Sequence, residues 1–140
     1  MGITKPHTWL NAFSAVMVKR ILLPLMLSVA LSPVHADWLQ GHTARLQTLD
    51  KITARIATIE IRVGTPQRYG SLQIIIHACN ARPPNMAPEH AALMAIRVVD
   101  HNDVVADIPI FQGWMFASSP GLNALEHPVY DVSVLACIKD

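Results

Sequence analysis

The chain has 140 residues, 51% of them hydrophobic, with 11 Lys and Arg against 10 Asp and Glu. All ten acids but only eight of the bases follow residue 36, so that part is net acidic, which argues against a nucleic-acid partner, since such partners need a basic face. The length suits one small domain with a modest core, and no repeat, phosphate-binding loop or heptad is present.

Residues 1–36 read as a secretory signal. Lys5, Lys19 and Arg20 give a positive start, "ILLPLMLSVALSPV" gives a short apolar run, and Val34-His35-Ala36 gives a small-residue cleavage site. The run is about a dozen residues where a membrane-spanning helix needs roughly 20, and Pro24 and Pro33 interrupt it. The expectation is cleavage after Ala36, a periplasmic location and no stable membrane span afterwards. The other reading is a retained tether. No cysteine follows the run to take a lipid.

A single β-domain is expected over residues 37–140. "WLQGH" leads into "TARLQTLD", which alternates as a strand. "KITARIATIEIRVG" places Ile52, Ala54 and Ile56 on one face and Ile59, Ile61 and Val63 after a slip at Ala57-Thr58, the mark of a β-bulge or tight turn. "SLQIIIHAC" is a strand with Leu72, Ile74, Ile76 and Ala78 on one face. The proline-rich "NARPPNMAPEH" is a loop. "AALMAIRVVD" follows, then "VVADIPIFQGWMF", where Pro109 and Gly113 indicate an interrupted or edge strand. In "PVYDVSVLACI" Val129, Asp131, Ser133, Leu135 and Cys137 share one face, and Tyr130, Val132, Val134, Ala136 and Ile138 the other. Six to seven such strands imply an all-β fold, a small antiparallel sandwich or barrel.

Before the last strand, "SSPGLNALEHP" suggests one short helix. Ser118 or Ser119 would cap it, Pro120 suits its first turn, and Pro128 ends it. Leu122 and Leu125 would then face inward, while Asn123 and His127 would share the outer face. Trp114, Met115 and Phe116 would plug one end of the core, with Trp114 mostly buried.

In an exported chain Cys79 and Cys137 are most simply a disulfide. The alternative is a zinc site of His77, Cys79, His127 and Cys137. His42, His90 and His101 read as solvated loop histidines. Ser118 or Ser119 with His127 and Asp131 supplies the residue types of a hydrolytic triad, but there is no G-x-S-x-G elbow, so no catalytic residue and no cofactor is assigned. The candidate binding patch is Arg82, Trp114, Ser118, Ser119, Asn123, Glu126, His127 and Tyr130.

The stretch "FQGWMFASSPGLNALEHPVYDV", with "LDKITARIATIEIRVG", "RYGSLQI" and "ACNARPP", resembles a bacterial, chiefly alphaproteobacterial, family of small exported proteins, domain of unknown function 2155. The likeness covers roughly residues 43–138. The family carries no established activity, so the resemblance implies compartment rather than reaction. It points to a non-catalytic envelope module whose partner is an envelope protein or a lipid-transport component.

Overall fold

The computed structural model describes residues 37–139, besides Gly2. The expected leader and its cleavage site fall outside the described residues. Every regular element described is a strand: β1 (Leu39–Gly41), β2 (Thr43–Asp50), β3 (Arg55–Arg62), β4 (Gln67–Tyr69), β5 (Leu72–Ala81), β6 (His90–Val98), β7 (Phe111–Phe116) and β8 (Tyr130–Ile138). That is eight strands where six to seven were expected, because the lead-in and the "QRY" turn each form a short one. No described helix is long and apolar enough to cross a membrane.

All pairings are antiparallel. One sheet has the order β1-β5-β6-β7, with β4 sharing with β1 the edge of β5 that faces away from β6. The other is β3-β2-β8. Ala44, Leu46, Ile61, Val132 and Val134 of the small sheet and Leu72, Ile74, Ile76, Met94, Ile96, Phe111 and Met115 of the large one form a single core between them. Full burial of one such aliphatic or aromatic side chain stabilises by about 1.5–3 kcal/mol. Thr48 is the one polar residue in this layer, and its hydroxyl donates to the Ala57 carbonyl at 3.2 Å.

Chain crossing between the sheets happens at Gly41-His42. Gly41 pairs with Cys79 in the large sheet, and Thr43 pairs with Ile138 in the small one. His42 donates its N–H to Ile138 and accepts at its carbonyl from Val63, so the crossing is tied to both outer strands of the small sheet. A Cβ on Gly41 would lie 3.0 Å from Cys137 Cβ and from the Ile138 carbonyl oxygen, so glycine is what lets the two strands approach there.

Two β-bulges decide which way the cysteines face. In β5, Ile76 pairs with Met94 but Ala78 pairs with Leu93, which leaves His77 as the extra residue. In β8, Ala136 pairs with Arg45 but Val134 pairs with Leu46, which leaves Leu135 extra. Strict alternation would have turned Cys79 away from Ile74 and Ile76, and Cys137 away from Val132 and Val134. Each bulge shifts the parity by one and turns its cysteine into the core. The two then join as a disulfide across the sheets, with Cα atoms 5.5 Å apart. The faces expected for Ala78 and for Leu135 with Cys137 are corrected accordingly.

Three further expectations are corrected. The slip at Ala57-Thr58 does not exist: β3 runs in continuous register with β2, and the turn is at Lys51–Ala54. Asp50 Oδ1 accepts from the N–H groups of Ile52 and Thr53 and turns the chain, with Ala54 at φ 55°. The short helix over 118–128 is a succession of turns, with Ser119 N–H on Phe116 and Leu122 N–H on Ser119. Pro120, Gly121 and Pro128 leave too few residues to repay helix nucleation, and the Ser118 and Asn123 side chains are committed elsewhere. Leu122 consequently points to solvent at 74% exposure, while Leu125 is in the core at 4%.

Candidate functional site

The outward face of the large sheet carries an apolar groove. Because Cys79 and its partner Ala92 point inward, the neighbouring pair Asn80 and Ala91 points outward. Pairing extends that row to Gln40 on β1 and Phe116 on β7. Trp38, two residues before Gln40, stands at one side, and Trp114 stands with Phe116 at the other. Trp38, Asn80, Ala91, Trp114 and Phe116 line a cleft of about 300 Å³. Trp38 and Trp114 are 38% and 37% exposed. The expectation that Trp114 is mostly buried is corrected: in the run Trp114-Met115-Phe116, alternation sends only Met115 into the core.

A smaller hollow of about 100 Å³ adjoins on the Trp38 side, lined by Asp37, Trp38, Arg82, Pro83 and Met86. The Arg82 guanidinium lies 5.3 Å from the centre of the Trp38 ring, a cation–π contact. The groove is over the disulfide: Cys137 Sγ lies 3.6 Å from the carbonyl of Ala91, the groove floor, and Cys137 N–H donates to His90 Nδ1 at 3.1 Å. His90 is therefore a half-buried structural acceptor, not a solvated loop residue, whereas His42 and His101 are exposed.

The remaining patch residues serve the fold around this groove. The Ser118 hydroxyl and N–H both donate to the Glu89 carboxylate, as does the His90 N–H. Desolvation works to raise the Glu89 carboxyl, but those donors, together with the Arg82 charge, outweigh it and hold the group below its ordinary 4.5. Ser119 is exposed, with its hydroxyl 3.5 Å from that of Ser118. The Asn123 amide donates to the Trp114 carbonyl at 2.9 Å and so covers part of the free edge of β7. A Cβ at Gly113 would lie 2.9 Å from that amide nitrogen, which accounts for glycine beside the tryptophan.

His127 does not share a face with Asn123. Its Nδ1 accepts from the N–H groups of Val129 and Tyr130, its carbonyl accepts from Lys51, and its ring stacks on Tyr130. Tyr130 also meets Tyr69 edge-on, with ring centres 5.6 Å apart. Glu126 is exposed, with no ion-pair partner among the described residues. Of the expected patch, then, Trp114 lines the groove and Arg82 the adjoining hollow. Ser118, Asn123, His127 and Tyr130 are bonded within the fold.

The four residues of the zinc alternative are not brought together. Both sulfurs are in the disulfide, His77 is the exposed bulge residue, and His127 sits at the Tyr130 end of β8 rather than the Cys137 end. Among the described residues no three His, Cys, Asp or Glu are grouped to hold a metal. The residues types of the hydrolytic triad are engaged separately: Ser118 with Glu89, His127 with backbone amides, Asp131 with Lys51 at 2.8 Å.

Residue-by-residue reading missed Trp38, Asn80, Ala91 and Phe116 as groove residues. They come from three strands and the residue before β1, and only the sheet register brings them together. The available signal was that Trp38 and Trp114 are the only tryptophans after residue 36.

No solved structure matches this chain. It is similar to an uncharacterised protein of Rickettsia prowazekii (strain Madrid E), 32% identical over 106 residues. The match takes in 73% of this chain, and the chain spans 64% of the length of that relative. The model of the family described as "Uncharacterized protein conserved in bacteria (DUF2155)" matches residues 44–137, which include the paired cysteines, the proline-rich loop and the whole turn region from Gly113 to Val132, and the chain belongs to that family.

Proposed function

We propose that this protein is an exported, periplasmic, non-catalytic module of the cell envelope that binds its partner through the groove of Trp38, Asn80, Ala91, Trp114 and Phe116. The partner is an envelope protein or a component of a lipid-transport system. One observation carries the reading: two tryptophans, each more than a third exposed, face each other across an apolar cleft on a sheet surface. Large apolar rings left in water at a concave site are the anchors that recognition surfaces use. The signal-like residues 1–36 and a cysteine pair oxidised in a small domain support the compartment.

The test is site-specific photo-crosslinking in intact cells. A photoreactive aromatic residue at position 114 or 38 should give a discrete adduct. The same residue at Thr58, on the outward face of the other sheet, should give none. Adducts of equal yield at all three positions, or none at any, would remove the groove from the function.

A further inference from the structure

We infer that the groove takes an extended peptide segment in which an apolar, preferably aromatic, side chain stands beside an acidic one. The inference rests on the binding role proposed above and adds the chemistry of the occupant.

The groove's width argues for an extended chain. Trp38 precedes β1, and Trp114 and Phe116 are on β7, three strand spacings away. At about 4.8 Å per spacing the strand axes are about 14 Å apart, and the aromatic walls narrow that further. A helix of about 10 Å diameter does not enter such a slot, whereas one extended chain with an inserted ring does. The volume of about 300 Å³ is likewise at the small end for ligand sites, enough for one large side chain and its backbone.

The floor argues for a peptide over an acyl chain. Asn80 is half-buried and points outward, and its carboxamide makes no hydrogen bond among the described residues. Gln40, its pairing neighbour on β1, is exposed beside the groove and likewise makes no side-chain hydrogen bond among the described residues. Each carboxamide offers both a donor and an acceptor, the complement of a peptide group. A hydrocarbon chain over Asn80 would leave its carboxamide unpaired, and a buried unpaired polar group is costly.

The rim argues for the acid. Arg82 is held against the Trp38 ring and has no carboxylate in ion-pair range among the described residues. Asp37 shares its hollow without pairing to it. Glu89, whose backbone carbonyl accepts from the Arg82 N–H, feels the Arg82 charge at a distance, but its carboxylate is hydrogen-bonded by Ser118 and His90 instead. A guanidinium seated on the Trp38 ring and in ion-pair contact with no internal carboxylate is a ready partner for an external carboxylate beside an apolar anchor.

The experiment measures fluorescence anisotropy of labelled hexapeptides with the full chain. One peptide carries an aromatic residue next to glutamate, a second replaces the aromatic residue by serine, and a third replaces glutamate by glutamine. Palmitate and phosphatidylglycerol vesicles are the competing occupants. The first peptide should bind about tenfold more tightly than the second. It should bind about three- to tenfold more tightly than the third, and Arg82→Gln should erase that second preference alone. Trp114→Ala should weaken the first peptide about tenfold with little change in melting temperature.

Failure of all three peptides to bind, a glutamate preference that survives Arg82→Gln, or displacement of the peptide by palmitate or vesicles would each overturn the inference. If the crosslink at position 114 forms in cells while no such peptide competes for the groove, the occupant chemistry falls and the binding role stands. If the crosslink also fails, both fall.

Discussion

Inserting one alanine between Ala78 and Cys79 tests whether strand parity is what aims Cys79 at Cys137. With one residue more after Ala78, alternation turns Cys79 outward and Asn80 into the core. The bridge then cannot close. The two cysteines are 58 residues apart in sequence, and the chain-entropy account puts the loss at about 4 kcal/mol. With a urea slope of about 2 kcal/mol per molar, as expected for a small domain, the unfolding midpoint should fall by about 2 M. Deleting His77 instead removes the bulge together with its extra residue, so Ala78 and Cys79 keep Leu93 and Ala92 as partners and Cys79 stays inward. Thiol titration of the denatured, unreduced protein should rise from no free thiol to two in the insertion variant and stay at none in the deletion variant. His77→Ala keeps the backbone count and removes only an exposed ring, so it should change stability by no more than about 0.5 kcal/mol and leave the thiols bridged. An insertion variant with no free thiol and a midpoint within about 0.5 M of the parent, or a deletion variant with two free thiols, would refute the bulge argument.

The other expectations follow from the turn region. Leu125→Ala should cost about 2–5 kcal/mol, whereas Leu122→Ala should stay within about 0.5, both read by urea unfolding, because only the first side chain is buried. Asn123→Ala removes the amide over the Trp114 carbonyl; it should cost about 1 kcal/mol and increase self-association in sedimentation, since the β7 edge is then open to a second strand. Glu89 has a folded pKa below its ordinary 4.5, so its contribution is present above that value and is lost as pH falls through the lower folded value. Comparing Glu89→Gln with the parent from pH 7 to pH 3 should show a smaller acid-induced loss of stability in the variant.

The strands were legible wherever one face was apolar and the other polar. β2, with Ala44, Leu46 and Thr48 set against Arg45 and Gln47, is the plainest case. The bulges were not legible, for a physical reason. Around His77 and Leu135 both faces of the strand are apolar or small, as in "IIIHAC" and "VLAC", so an inserted residue leaves no break in the pattern. At Ala57-Thr58 the opposite error arose: exposed Ile52 and Ile56 imitate a core face that the Asp50 turn does not provide. The turn region was misread as a helix because Leu122 and Leu125 are three apart, while side-chain bonds from Ser118 and Asn123 carry no sequence period. Trp38 sits just after the leader, outside any alternating run, and its place opposite Trp114 depends on pairings between β1, β5, β6 and β7.

The strand crossing at Gly41-His42 and the disulfide lie at the same end of the molecule, where Cys79 pairs with Gly41 and Cys137 pairs with Ala44. At the opposite end, near the Asp50 turn, Tyr69 of the large sheet meets Tyr130 of the small one over the core, with no covalent link among the described residues. The sandwich is thus bound like a book along one spine. Fluctuations that part the pages begin at the tyrosine end, so backbone amides there should exchange with solvent by local opening, while those flanking the cysteines should wait for global unfolding. The groove is on the cover directly over the spine. Its walls can keep their spacing while the far edge breathes, and an occupant would find the cleft already shaped before it arrives.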